Sequence, residues 1–230
     1  MKKRTSLYYL ILLISYTASS QQSFNNNLES EYISNKTINL KENSNDYTGS
    51  PYFNEVFIKG NIYKNGELLA TNKSLRYNAS KDEFEIKNSL NPTSDLVKTL
   101  FKKNSLSIKI GIKEFVFIRP NSTNTANGYF LLLQEGENIS YLKKIKKKFI
   151  PGKKAYSSMA VNTQATYKSD DVYYLLNKEG TLFELPNSKN GIIETFGSHK
   201  KEIKAFLKEN KLNIKKEKGL KKVVVYYNSL

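Results

Sequence analysis

Apolar and polar residues alternate with period two through much of the chain, and that alternation predicts strands. It is cleanest at Leu106, Ile108, Ile110 and Ile112, separated by Ser107, Lys109, Gly111 and Lys113. Phe84 and Ile86 alternate in the same way with Glu83 and Glu85, which puts the two acids on a solvated face. Residues 55–64 read as a strand, and Asn65-Gly66 follows. That dipeptide between apolar runs predicts a type I′ hairpin, because both residues tolerate positive φ. Residues 67–70 and 74–77 form the return strand, and 78–82 a turn. Further strands are predicted at 115–118, 129–134, 139–150, 173–176 and 181–185, with turns at 111–114, 135–138 and 177–180. Residues 94–103 predict a short helix with Leu96, Leu100 and Phe101 on one side, while 119–128 and 151–165 read as loops.

The period changes after Pro186. Ile203, Phe206 and Leu207 fall at i, i+3 and i+4, and Leu220, Val223, Val224 and Tyr227 at i, i+3, i+4 and i+7. Both are amphipathic helical stripes with Lys on the opposite side. Gly197 fits a helix C-terminus and Ser198 the N-cap of the next helix. The run Val223-Val224-Val225-Tyr226-Tyr227 has strand propensity, so a terminal strand is the alternative.

The amino terminus carries Lys2-Lys3-Arg4, an apolar run at 7–14 and small residues Ala18-Ser19-Ser20 before Gln21. This is the pattern of a secretory signal peptide cleaved near Ser20. The apolar run is about half the roughly 20 residues of a membrane span, so no transmembrane span is expected in the mature chain. Residues 21–48 are polar without a period and read as a disordered leader, in which Ile33 and Ile38 suit a weak edge strand. Residues 49–187 then form an antiparallel β domain, and 188–230 a helical segment packed on it. The fold class is α+β, mainly β: an antiparallel meander, as a bent sheet or open barrel, followed by two or three short helices. About eight to ten strands are expected, without βαβ alternation.

Charge and composition narrow the chemistry. The 230 residues hold 37 Lys and Arg against 21 Asp and Glu, a net charge of +16. The excess is nearly all Lys, since only Arg4, Arg76 and Arg119 are Arg. Sequence-specific nucleic-acid readers favour the planar Arg fork, so that class is not expected. Lys and Asn are enriched together, which fits either an A/T-rich genome or attraction to an anionic polymer. There is no Cys, which excludes disulfides, Cys-ligated metals and thiol catalysis. Neither Gly-rich phosphate-loop pattern occurs, and no cofactor is expected. His199, the single His, reads as an exposed surface residue. Acid-only hydrolysis would have to draw on Glu83, Glu85 and Asp170, and no Trp platform accompanies them.

Two Lys clusters remain. Lys144, Lys146 and Lys148 share one face of the predicted 139–150 strand, with Lys143 and Lys147 on the other, which suggests a sheet edge. Lys200, Lys204, Lys208 and Lys211 belong to the tail. These seven are the candidate contacts for an anionic surface.

The phrases at 49–60, 74–87, 128–136 and 206–230, above all Leu75-Arg76-Tyr77-Asn78 before Glu83-Phe84-Glu85 and the ending Tyr226-Tyr227-Asn228-Ser229-Leu230, resemble those of a group of short secreted proteins of Bacteroidetes-type bacteria. The resemblance implies periplasmic or outer-surface residence and a β domain with C-terminal helices. It carries over no activity and no catalytic residue. The leading expectation is a non-enzymatic exported envelope protein with a protein or anionic-polymer partner. The alternative is a carrier that holds a small apolar ligand in the bent sheet.

Overall fold

The computed structural model describes residues 31–39, 47–87, 96–120, 126–155 and 161–230. The expected signal peptide and most of the leader lie outside the described residues. Within the leader, β1 (Ile33–Asn39) forms an edge strand. Then come β2 (Tyr47–Thr48), β3 (Ile58–Lys64), β4 (Glu67–Asn78), β5 (Glu83–Lys87), β6 (Leu96–Leu100), β7 (Leu106–Ile110) and β8 (Lys113–Ile118). The chain continues through β9 (Gly128–Gln134), β10 (Ile139–Lys144), β11 (Lys147–Ile150), β12 (Ala165–Ser169), β13 (Val172–Asn177) and β14 (Leu182–Glu184). It ends in α1 (Lys189–Glu194), a 3₁₀ turn (Gly197–His199), α2 (Lys200–Glu209) and α3 (Glu217–Tyr227).

Eleven strands make one antiparallel sheet in the order β1-β6-β5-β4-β3-β7-β8-β9-β10-β13-β14, and a second sheet has the order β11-β12-β2. The Asn65-Gly66 turn forms as the sequence dictates, with φ of 51° and 84°. Residues 96–100 are a strand, where the sequence reading has a helix. The i, i+4 spacing of Leu96 and Leu100 is outweighed by ladder hydrogen bonds to β5 on one side and β1 on the other. Val97 and Thr99 are buried on one face and Leu100 on the other, so this strand shows no period two.

The sheet is strongly bent. Five strand spacings separate β5 from β9, about 24 Å if the sheet were flat. Instead, the Phe84 ring of β5 lies 4.9 Å from Tyr129 of β9 and 5.2 Å from Phe115 of β8. Tyr77 joins them at 4.9 Å from Phe84 and 5.1 Å from Phe115. These rings, with Ile62, Leu75, Leu106 and Ile108, fill the interior of the roll.

The roll is clasped by side chains. Asp82, at φ 55° in the β4–β5 turn, accepts from the Tyr129 backbone N–H at 3.1 Å, the Tyr77 hydroxyl at 2.7 Å and Lys144 Nζ at 2.7 Å. Lys144 Nζ also donates to the Tyr129 carbonyl at 3.1 Å. Gly128, at φ 110°, leaves room for this, since a Cβ there would overlap the Asp82 carboxylate and the Lys144 ammonium.

Beyond the roll, β10 and β13 carry the helices. Ile139, Tyr141 and Leu175 on one face of the sheet pack against Ile192, Ile203, Leu207, Leu220, Val223 and Val224. On the other face Phe130, Leu142, Tyr174 and Leu182 form a separate cluster. The stretch 223–227 is therefore helical: its apolar residues fall on one stripe and that stripe has a sheet to dock on. Asn228 fastens the end. Its Oδ1 accepts from the N–H groups of Asn138 and Ile139 at 2.7 and 3.1 Å, and its Nδ2 donates to the Ile139 carbonyl at 2.9 Å.

Candidate anion-binding surface

The strand expected over 139–150 is two strands in two sheets. Ile145 turns into the roll interior and is 4 % exposed. Lys146 N–H then donates to Asp171 Oδ1 at 3.2 Å, and its carbonyl accepts from Asp170 N–H at 3.0 Å. The break separates Lys144 from Lys148. Lys144 is 6 % exposed and clasped to Asp82, so it is withdrawn from the surface and is no anion contact. Burial lowers its pKa, and the Asp82 carboxylate opposes that shift. Lys146 is half-buried, and Lys148 is exposed.

Lys148 sits on β11, an edge of the small sheet, directly opposite Lys168 on β12. Opposed residues in such a ladder have Cβ atoms about 5 Å apart. Both lysines are exposed, and neither pairs with an acid among the described residues. Phe149 opposes Tyr167 on the other face. There the rings of Phe149, Tyr167 and Tyr47 meet at 5.1 to 6.5 Å, with Phe149 46 % exposed. Lys147 donates to Ser169 Oγ at 2.9 Å, and Lys153 and Lys154 are exposed farther along. Lys168 escapes sequence reasoning because it stands outside any Lys run. Only the strand register brings it to Lys148.

In the tail, α2 buries Ile203 and Leu207 and turns Lys204 and Lys208 to solvent. Lys211, at φ 49°, is exposed just beyond the helix. These three have no acidic partner among the described residues. Lys200 differs, because it is half-buried and its Nζ lies 3.0 Å from Glu194. The exposed series continues through Lys215, Lys216, Lys218 and Lys222.

The remaining candidates are placed differently from the sequence reading. Glu85 does not lie on a solvated face: it is 1 % exposed, and its Oε2 accepts from Arg76 Nε and Nη2 at 3.0 and 2.7 Å. Asn78 Nδ2 reaches Oε1 at 3.3 Å, and the Tyr52 and Phe57 rings cover the guanidinium at 3.7 and 4.4 Å. Segment 52–57 thus roofs what alternation alone reads as open. Ser198 lies within the 3₁₀ turn and caps no helix. His199 is half-buried, with its ring edge-on to Tyr227 at 5.5 Å and Nδ1 3.8 Å from Glu202. No group of three His, Asp or Glu among the described residues is arranged to hold a metal. No described helix is long and apolar enough to cross a membrane.

No family model matches this chain, and neither a curated protein nor a solved structure matches it.

Proposed function

We propose that this chain is an exported, non-enzymatic binding protein that grips a phosphate-bearing anionic polymer with the small sheet and the outer face of the tail. Lys148 opposite Lys168 carries the reading. Like charges directly opposed on a ladder destabilise it, by the roughly 0.2–1 kcal/mol that such pairs are worth. Two other sheet cations are each met by an acid, Arg76 by Glu85 and Lys144 by Asp82. At Lys148 and Lys168 the counter-charge is left to a partner. Lysines act as point charges and suit a repeating anion that needs no bidentate geometry. The amino-terminal signal pattern and the absence of Cys support export. The rings that fill the roll favour this reading over a carrier of an apolar ligand.

The test is binding of the chain from residue 21 to long-chain polyphosphate at low salt. Lys148→Gln with Lys168→Gln is expected to weaken binding about tenfold or more, at about 1 kcal/mol per lysine, with an unchanged circular dichroism spectrum. Equal affinity of variant and parent, or hydrolysis of the polymer by the parent, overturns the proposal.

A further inference from the structure

We infer that the end of the roll at the β7–β8 turn docks the protein on an anionic lipid bilayer, with Ile112 as its inserted tip. Ile110 pairs with Lys113, so Gly111 and Ile112 form a two-residue hairpin turn. Gly111, at φ 57°, takes the first central position, where a type II′ turn places glycine. A Cβ on Gly111 would meet nothing within 4 Å, and Ile112 is 97 % exposed, so the turn projects into solvent. Glycine and small polar residues suit such a turn. An isoleucine exposed to this degree contributes no packing to the fold.

Other apolar side chains surface at the same end. Gly60 lies opposite Ile110 in the β3–β7 ladder, and two residues farther toward this end each chain presents an isoleucine, Ile58 and Ile112. Ile58 is 39 % exposed, and Val56, in the bend before it, is 69 % exposed. Phe53, 37 % exposed, packs edge-on against Phe115 at 5.4 Å and borders a cleft with Lys113. Exposed apolar residues scattered singly are ordinary, whereas several gathered at one end mark an interaction site. Lysines accompany them. Lys113 follows Ile112 directly, and Lys59 and Lys87 stand on either side of Ser74 in one row across β3, β4 and β5. Lys59 donates to the Asn72 carbonyl at 3.4 Å, and Lys87 lies over the Phe57 ring at 5.1 Å. Of the acids in 52–60 and 106–118, Glu114 is taken by Lys109 at 3.1 Å, which leaves Glu55 against those three lysines. A protein partner would need on the order of 800 Å² from this chain, more than four apolar side chains supply. A bilayer needs no matching shape: its interface takes up isolated apolar tips, and its anionic headgroups meet the lysines around them.

Sedimentation of the chain from residue 21 with vesicles of equal parts phosphatidylglycerol and phosphatidylcholine tests this. Binding is expected there, and far weaker binding to phosphatidylcholine alone. Ile112→Ser is expected to weaken it about tenfold, the worth of one partly buried apolar side chain, and Lys59→Gln with Lys113→Gln by a similar factor. Ile112→Ser should leave polyphosphate binding unchanged, and its effect on vesicles should persist on the Lys148→Gln, Lys168→Gln background, which separates this end from the polymer surface. The chain has no Trp, so Ile112→Trp reports on the tip itself. Its emission should move to shorter wavelength when anionic vesicles are added. Unshifted emission overturns the inference, as does undiminished vesicle binding in Ile112→Ser, an exposed turn position whose change leaves folding intact. A shift that grows with protein concentration in the absence of vesicles assigns this end to a second copy of the chain and overturns it as well.

Discussion

At the scale of single residues, Asp82 holds more of the structure than any other acid described. It joins the β4–β5 turn to β9 and β10 through partners 47 and 62 residues away. Those separations explain why the sequence shows 78–82 only as a turn. Its clasp depends on a bend that no local pattern records. Replacing Asp82 with Asn, which tolerates the φ of 55°, leaves Lys144 buried without a counter-charge, and such losses run to about 3–5 kcal/mol. A loss of unfolding free energy of that order is expected for Asp82→Asn by urea titration, and Lys144→Met on the same background should recover part of it. If Asp82→Asn alone is neutral, the clasp does not close the roll. Glu85 teaches the same lesson in reverse. Alternation places it correctly beside Glu83 and opposite the Phe84 face, yet only segment 52–57 decides that this face is roofed.

At the scale of elements, hairpins are the most legible feature, because turn chemistry is local. Asn65-Gly66 adopts the two positive φ angles its residues favour. The 96–100 segment fails as a local reading, whereas at 223–227 the helical stripe prevails over the strand alternative. The first has helical spacing but neighbours that hydrogen-bond it on both sides, and the second has strand residues but a stripe that a sheet can cover. Lys144 illustrates a second failure: the turn at Ile145 puts the residues before and after it into different sheets. Asn228 fixes where the tail ends. A Cβ on Gly136 would overlap its amide, so hairpin and helix end are fitted to each other. Asn228→Ala removes acceptors from two N–H groups at roughly 1–3 kcal/mol. Amide exchange at Asn138 and Ile139 should accelerate about tenfold or more, while exchange in β4 and β5 stays as in the parent. Uniform acceleration across the sheet would mean that the tail and the roll are one cooperative unit.

At the scale of the whole molecule, tyrosine links the fold to pH. Burial, reinforced by the Asp82 carboxylate, pushes the hydroxyls of Tyr77 and Tyr129 well above the ordinary value of 10. Burial and Glu184 take Tyr174 up to about 12. The folded chain therefore holds these protons more tightly than the unfolded chain. Their contribution to stability is present in full below about pH 10 and is lost as pH rises through the folded values. Absorbance at 295 nm should show a late, cooperative step of tyrosine ionisation coincident with loss of the β-sheet circular dichroism signal. A single broad titration of all tyrosines at pH 10 would contradict the packed roll.

The salt dependence of polyphosphate binding tests the central claim most directly. Each lysine that displaces a condensed counterion adds to the slope of log K against log salt concentration. The parent chain should give a steep negative slope, and Lys148→Gln with Lys168→Gln should reduce its magnitude by about 1–2. A flat slope, or one that the double substitution leaves unchanged, would contradict the account that these opposed lysines receive the polymer.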